Sequence, residues 1–140
     1  MDCDYWKDVV GQLRDPSKSN WASHVLSSGL SESSDPRVPN LLAQALECVT
    51  ANELIEGTIY AYRDWSAQPN CDLILAQFAP DQILSLYLKI DGPESTMKVG
   101  VLGVLEDMDR ELAKRLASSL NQSEESEDVL SAVRYSLRAT

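Results

Sequence analysis

The chain has 140 residues, 44% apolar and 24% charged, and its 22 acidic against 12 basic side chains give a formal charge of −10. That length lets a domain bury roughly 68–70% of the surface its unfolded form exposes, so folding requires neither metal nor disulfide. The negative charge sets the chain against nucleic acid and anionic lipid heads, and no apolar run approaches the roughly 20 residues of a membrane-spanning helix.

The start, Met-Asp-Cys-Asp-Tyr-Trp, lacks the basic head, apolar centre and small-residue cleavage site of a secretory signal, so a cytoplasmic protein is expected. Hydrophobic spacing then follows the period of a helix nearly throughout. Tyr5, Trp6, Val9, Val10 and Leu13 form a first stripe, closed by Asp15-Pro16, and Trp21, Ala22, Val25, Leu26 and Leu30 form a second. Ser31 to Ser34 reads as a linker, and Asp35-Pro36 opens a third helix carrying Val38, Leu41, Leu42, Ala45, Leu46 and Val49.

Thr50-Ala-Asn-Glu53 is a capping box, in which side chain and backbone satisfy each other's free donors. It starts a fourth helix that is expected to reach about Trp65, with Leu54, Ile55, Thr58, Ile59, Tyr62 and Trp65 inward. Beyond Pro69-Asn70 comes a short segment with Leu73, Ile74, Leu75 and Phe78, read as helix from its neighbours. Pro80-Asp81 restarts the chain into Ile83, Leu84, Tyr87 and Leu88, and Asp91-Gly92-Pro93 ends that helix. Three more helices are predicted, at about 94–107, 109–121 and 126–139. The expected fold is all-α, with seven to nine helices in one domain over 1–140 and the first 34 residues less regular than the helix pairs after them.

A repeat with a 28-residue offset pairs Asp81 with Asp109, Leu84 with Leu112, Leu88 with Leu116, Val101 with Val129, Leu102 with Leu130 and Leu105 with Val133. Such self-similarity marks stacked helix pairs, each covering its neighbour's apolar face. The run Asp109-Arg-Glu-Leu-Ala-Lys-Arg-Leu-Ala-Ser-Ser-Leu, followed by Ser126-Glu-Asp-Val-Leu-Ser-Ala-Val-Arg-Tyr-Ser-Leu, resembles the two helices of a short HEAT-type repeat. The resemblance covers Asp81 to Arg138, and the first thirty residues and Asn70 to Ala79 depart from it. It implies a small HEAT-like solenoid or helical bundle with a scaffold or adaptor surface, and it carries over no catalytic residue.

Chemistry-bearing groups are sparse. His24 is the single imidazole, the glycines form no phosphate-cradling run, and Cys3, Cys48 and Cys71 stand too far apart for a zinc site and read as buried reduced thiols. Neither catalytic residues nor metal ligands nor a cofactor are expected. The clusters Glu106-Asp107-x-Asp109-x-Glu111 and Glu124-Glu125-x-Glu127-Asp128 lack calcium-loop spacing and read as helix-start carboxylates. Gly100 and Gly103 each cost about 1 kcal/mol against Ala within a helix, which points to close approach of a crossing helix or to a groove for a partner.

The fourth helix carries the candidate site. With its core stripe turned inward, Glu53, Glu56, Tyr60, Arg63 and Asp64 fall on the opposite side, and Tyr and Arg are residue types enriched at binding hot spots. The expected function is non-enzymatic protein binding, as an adaptor, scaffold piece or immunity-type inhibitor, with a partner that is basic. The alternatives are an acidic nucleic-acid mimic and a helical enzyme working through carboxylates alone or with a metal.

Overall fold

The computed structural model describes residues 2–32, 40–123 and 126–138, and among them there are helices and no strand. They divide into two compact units, Met1–Phe78 and Ala79–Thr140.

The first unit contains α1 (Cys3–Gln12), α2 (Ser19–Glu32), α3 (Asn40–Leu46), α4 (Ala51–Ala61), a 3-10 turn (Trp65–Ala67) and α5 (Gln68–Leu75). Asp2 caps α1 by accepting the amide of Tyr5 at 3.2 Å. Thr50 caps α4 as its sequence predicts, its hydroxyl oxygen accepting the Glu53 amide at 3.1 Å and donating to the Glu53 carboxylate. The expected Asp35-Pro36 entry and the second half of the expected linker lie outside the described residues, and its first half, Ser31 and Glu32, is the end of α2 rather than a linker.

At the centre α2 packs chiefly against α3 and α5, and its buried face keeps Ala22 and Leu26 of the predicted stripe but is turned toward serines and away from Trp21. Ser19, Ala22, Ser23, Leu26 and Ser27 are buried, whereas Trp21 is 48% exposed. The serines can be buried because their hydroxyls donate to carbonyls three residues back, Ser23 to Asn20 at 3.0 Å and Ser27 to His24 at 3.3 Å. Small side chains let the neighbouring helices come close. Trp21, expected inward, is left on the far side of the helix.

α4 is the other buried helix, with Leu54, Ile55, Gly57, Thr58, Ile59 and Ala61 all covered. Gly57 marks where α1 crosses it: a Cβ there would lie 3.3 Å from both Leu13 Cβ and the Val10 carbonyl oxygen. Close approach therefore sits at Gly57. At Gly103, one of the two glycines expected to meet a crossing helix, a Cβ would meet nothing within 4 Å.

Three expectations for this unit are corrected. α4 stops at Ala61, because Asp64 leaves helical geometry and caps the next turn by accepting the Ser66 amide at 3.0 Å. Trp65 therefore leaves the α4 stripe and stands 71% exposed. α5 begins at Gln68, ahead of the expected break at Pro69-Asn70, since Pro in a first turn lacks only a donor that no helical bond requires. Cys3 and Cys48, expected as reduced thiols, are joined in a disulfide with Cα atoms 5.1 Å apart. Their spacing of 45 residues hid the pairing, because the fold brings the start of α1 onto the segment after α3.

The second unit contains α6 (Pro80–Leu88), α7 (Ser95–Met108), α8 (Arg110–Ser123) and α9 (Glu127–Arg138). Gly92, with φ of 61°, supplies the left-handed turn between α6 and α7 that Asp91-Gly92-Pro93 predicts. A single extended residue, Asp109, separates α7 from α8 and caps the latter through the Glu111 amide at 3.1 Å. Leu112, Leu116, Val129 and Val133 are buried where α8 and α9 pack together. α6 touches α8 and α7 touches α9, the pairs that the 28-residue offset aligns. Burial departs from the offset most where Leu116 is buried and Leu88, the last residue of α6, is 63% exposed, and less where Leu84 and Leu130 are half-buried against buried Leu112 and Leu102.

Candidate functional site

The five residues singled out on the fourth helix do not form one free acidic surface. α4 directs Glu56 and Tyr60 toward Arg14, which follows α1. The Arg14 guanidinium meets Glu56 at 3.0 Å and lies 4.6 Å from the centre of the Tyr60 ring. The Arg63 guanidinium lies 5.3 Å from that ring and donates to the Arg14 carbonyl oxygen. Two cations on one electron-rich ring, one of them also paired with Glu56, tie the end of α1 to α4. Arg14, missed by a reading confined to the fourth helix, is 42 residues from its carboxylate partner.

Tyr60 is accordingly half-buried and in use. Truncating it, although helical phase places it opposite the core stripe, is expected to lower stability: Tyr60→Ala should lose about 1–3 kcal/mol from cation–π contact and apolar burial together. Tyr60→Phe keeps the ring face and should stay within about 0.5 kcal/mol of wild type by the same reasoning. Urea unfolding of the two variants checks this, and equal stabilities for them would mean that the ring does not hold the arginines.

Glu53 is exposed and takes part in the Thr50 cap. With Lys7, Val10, Gly11, Arg14 and Val49 it lines a cavity of about 150 Å³ between α1 and the start of α4. Asp64 faces elsewhere, accepting from Ser19 Oγ at 3.2 Å and Ser66 Oγ at 2.7 Å, and so links the 3-10 turn to α2. Glu53, Glu56, Tyr60 and Arg63 thus gather around Arg14, whereas Asp64 belongs to the surface that carries Trp65.

The buried Tyr62 side chain reaches the exposed Asp72 of α5. The Tyr62 hydroxyl donates to Asp72 at 2.6 Å, and Gln68 Nε2 donates to the Tyr62 carbonyl oxygen at 3.0 Å, so the end of α4 is tied to α5 twice. Burial first, and the Asp72 carboxylate second, push the Tyr62 phenol well above its ordinary range. Burial likewise raises the Cys71 thiol, with Asp72 and Asp64 adding to the shift. At the surface, the hydroxyl and amide of Ser17 hold the Asp15 carboxyl below its usual value.

The buried Tyr62 phenol and Cys71 thiol set an alkaline limit. In the unfolded chain the thiol and phenol release protons near their ordinary values of 9.0 and 10.0, whereas the folded chain retains them. The unfolded state then binds fewer protons, so stability falls as pH rises above about 9. Denaturation midpoints at pH 8 and at pH 10.5 are expected to show the fall, and equal midpoints would contradict it.

Of the acidic clusters expected at helix starts, Glu111, Glu127 and Asp128 stand in first turns, whereas Glu106 and Asp107 lie in the last turn of α7. Asp109 caps α8, Glu106 lies 3.7 Å from Arg110, and Glu127 meets Arg134 at 3.0 Å, while Glu124 and Glu125 lie outside the described residues. Among the described residues no three His, Cys, Asp or Glu side chains are placed to hold a metal ion, and no helix is long and apolar enough to cross a membrane. His24 is exposed on α2.

What the fourth-helix reading missed is the apolar side of the surface. Trp65 at 71%, Trp21 at 48% and Leu73 at 48% exposure all belong to the first unit. The signal was present in the sequence at Asp64, whose capping role interrupts the helical phase just before Trp65. No protein-family model, no curated protein and no solved structure matches this chain.

Proposed function

We propose that the chain is a non-enzymatic protein-interaction domain whose partner is basic. The observation that carries the reading is Trp65, a large aromatic side chain 71% exposed and directly following Asp64. Tryptophan is among the residue types that dominate binding energy when a partner covers them, and leaving one in water forgoes its burial. The charge of −10 supplies the second component, a long-range attraction that guides a basic protein in and rejects an acidic one. Of the five residues singled out by sequence, Asp64 is the polar part of the surface that carries Trp65, and Glu53, Glu56, Tyr60 and Arg63 are a separate charged patch around Arg14.

On the same reading the HEAT-like pairing of α6 with α7 and α8 with α9 is a scaffold for presenting surfaces. Location and cysteine state are linked: a cytoplasmic setting keeps Cys3 and Cys48 reduced, and an oxidising one forms their bond.

Affinity capture from the source organism, followed by mass spectrometry, tests the proposal. The expected catch is a protein with a basic surface that elutes as salt is raised. Capture of acidic proteins only, or retention unaffected by salt, would overturn it.

A further inference from the structure

Resting on that reading of a basic protein partner, we infer that the solvent face of α5, made by Pro69, Leu73 and Ala76 and preceded by Trp65, seats one amphipathic helix of the partner. α5 buries Cys71, Ile74 and Leu75 on one side. On the other, Pro69, Leu73 and Ala76, the last just past the helix end, are exposed at spacings of four and three that share one face of a helix, with the exposed Asp72 among them. Trp65 comes one helical turn earlier in sequence and is the most exposed large apolar residue of the chain among those described. An ordinary surface helix keeps apolar residues on its buried side and polar ones outside, so a second apolar side is a face with no occupant within the unit.

Chemistry selects the occupant. From Asp64 to Leu88 the sequence contains no lysine or arginine, Asp72 is exposed beside Leu73, and Asp64 adjoins Trp65 in the chain. The groups that bond the Asp64 carboxylate are neutral, the Ser19 and Ser66 hydroxyls and the Ser66 amide. A partner segment with an apolar stripe and flanking lysine or arginine complements this rim, and an acidic segment is repelled. Helix is favoured over strand because no strand edge exists among the described residues to receive one, whereas an exposed ridge with four-residue spacing packs into the groove of another helix.

The test uses the full chain and a synthetic leucine–lysine peptide designed as an amphipathic helix. A shuffled peptide of the same composition and a leucine–glutamate version serve as comparisons. Nuclear magnetic resonance follows the Trp65 indole and the α5 amides. With the amphipathic lysine peptide, saturable shifts are expected at both places. Leu73→Glu should weaken binding at least about tenfold, as loss of a central anchor does. Tyr135→Ser, at a different exposed aromatic in the second unit, should leave it unchanged. Since Leu73 is 48% exposed, its variant should fold, and its amide spectrum verifies that.

Shifts confined to other helices, equal binding of the shuffled or glutamate peptide, or full affinity in Leu73→Glu would overturn the inference. A captured basic partner that binds wild type and Leu73→Glu alike would overturn this face while leaving the wider proposal intact.

Discussion

Reduction of the Cys3–Cys48 bond is expected to lower the stability of the first unit by about 2–4 kcal/mol. The bond joins positions 45 residues apart, and tying a loop of that length removes conformational freedom from the unfolded chain. Chain-entropy reasoning places the full effect near 4 kcal/mol at 25 °C, from which any native-state strain subtracts. The bond joins the start of α1 to the segment after α3, so α1, whose end leads to Arg14, should be the element most loosened. Urea unfolding of wild type with and without reductant, and of Cys3→Ser, measures the effect. The Cys3→Ser curve should coincide with that of the reduced wild type, and a change below about 0.5 kcal/mol would mean that the bond constrains little. Cys71 is buried with its thiol pushed upward, so it should react with thiol reagents only as the unit opens, which gives an independent readout of the same loosening.

The second large effect is expected in the other unit. Leu116→Ala should destabilise it by about 2–5 kcal/mol, the range for a fully covered leucine whose removal leaves a cavity. Leu116 is 3% exposed, and α8 packs against both α7 and α9, which gives the site little room to collapse. Leu88→Ala, at the position the 28-residue offset aligns with it, should change stability by less than about 0.5 kcal/mol, because Leu88 is 63% exposed. Equal losses for the two variants would mean that the second unit buries both positions alike.

These contrasts define how far the sequence could be read. Helices were legible wherever a large apolar stripe and a cap agreed: Thr50 starts α4, Asp109 starts α8, and α7 to α9 fall within a few residues of their predicted spans. The reading failed where burial is carried by residues that look polar. Ser19, Ser23 and Ser27 form the covered face of α2 because their hydroxyls find partners within the helix or on Asp64, and no hydrophobicity pattern marks that.

It failed again where partners are distant in sequence. The Cys3–Cys48 bond and the Arg14–Glu56 pair depend on how α1 crosses α4, and the only local trace of that crossing is Gly57. The candidate site was half visible for the same reason. Its carboxylates and Tyr60 stand on one predicted helix, but Arg14 and the displacement of Trp65 by the Asp64 cap emerge only in three dimensions.

On the proposed function, a basic protein is drawn to the first unit by charge and held there by exposed apolar side chains. The measurement that bears on it most directly is the association rate of the captured partner as ionic strength is raised. Screening shortens the reach of charge from about 10 Å at 0.1 M salt to about 3 Å at 1 M. A steered association should therefore slow severalfold across that range, while the dissociation rate, set by contacts around Trp65, changes much less. An association rate independent of salt would contradict the account.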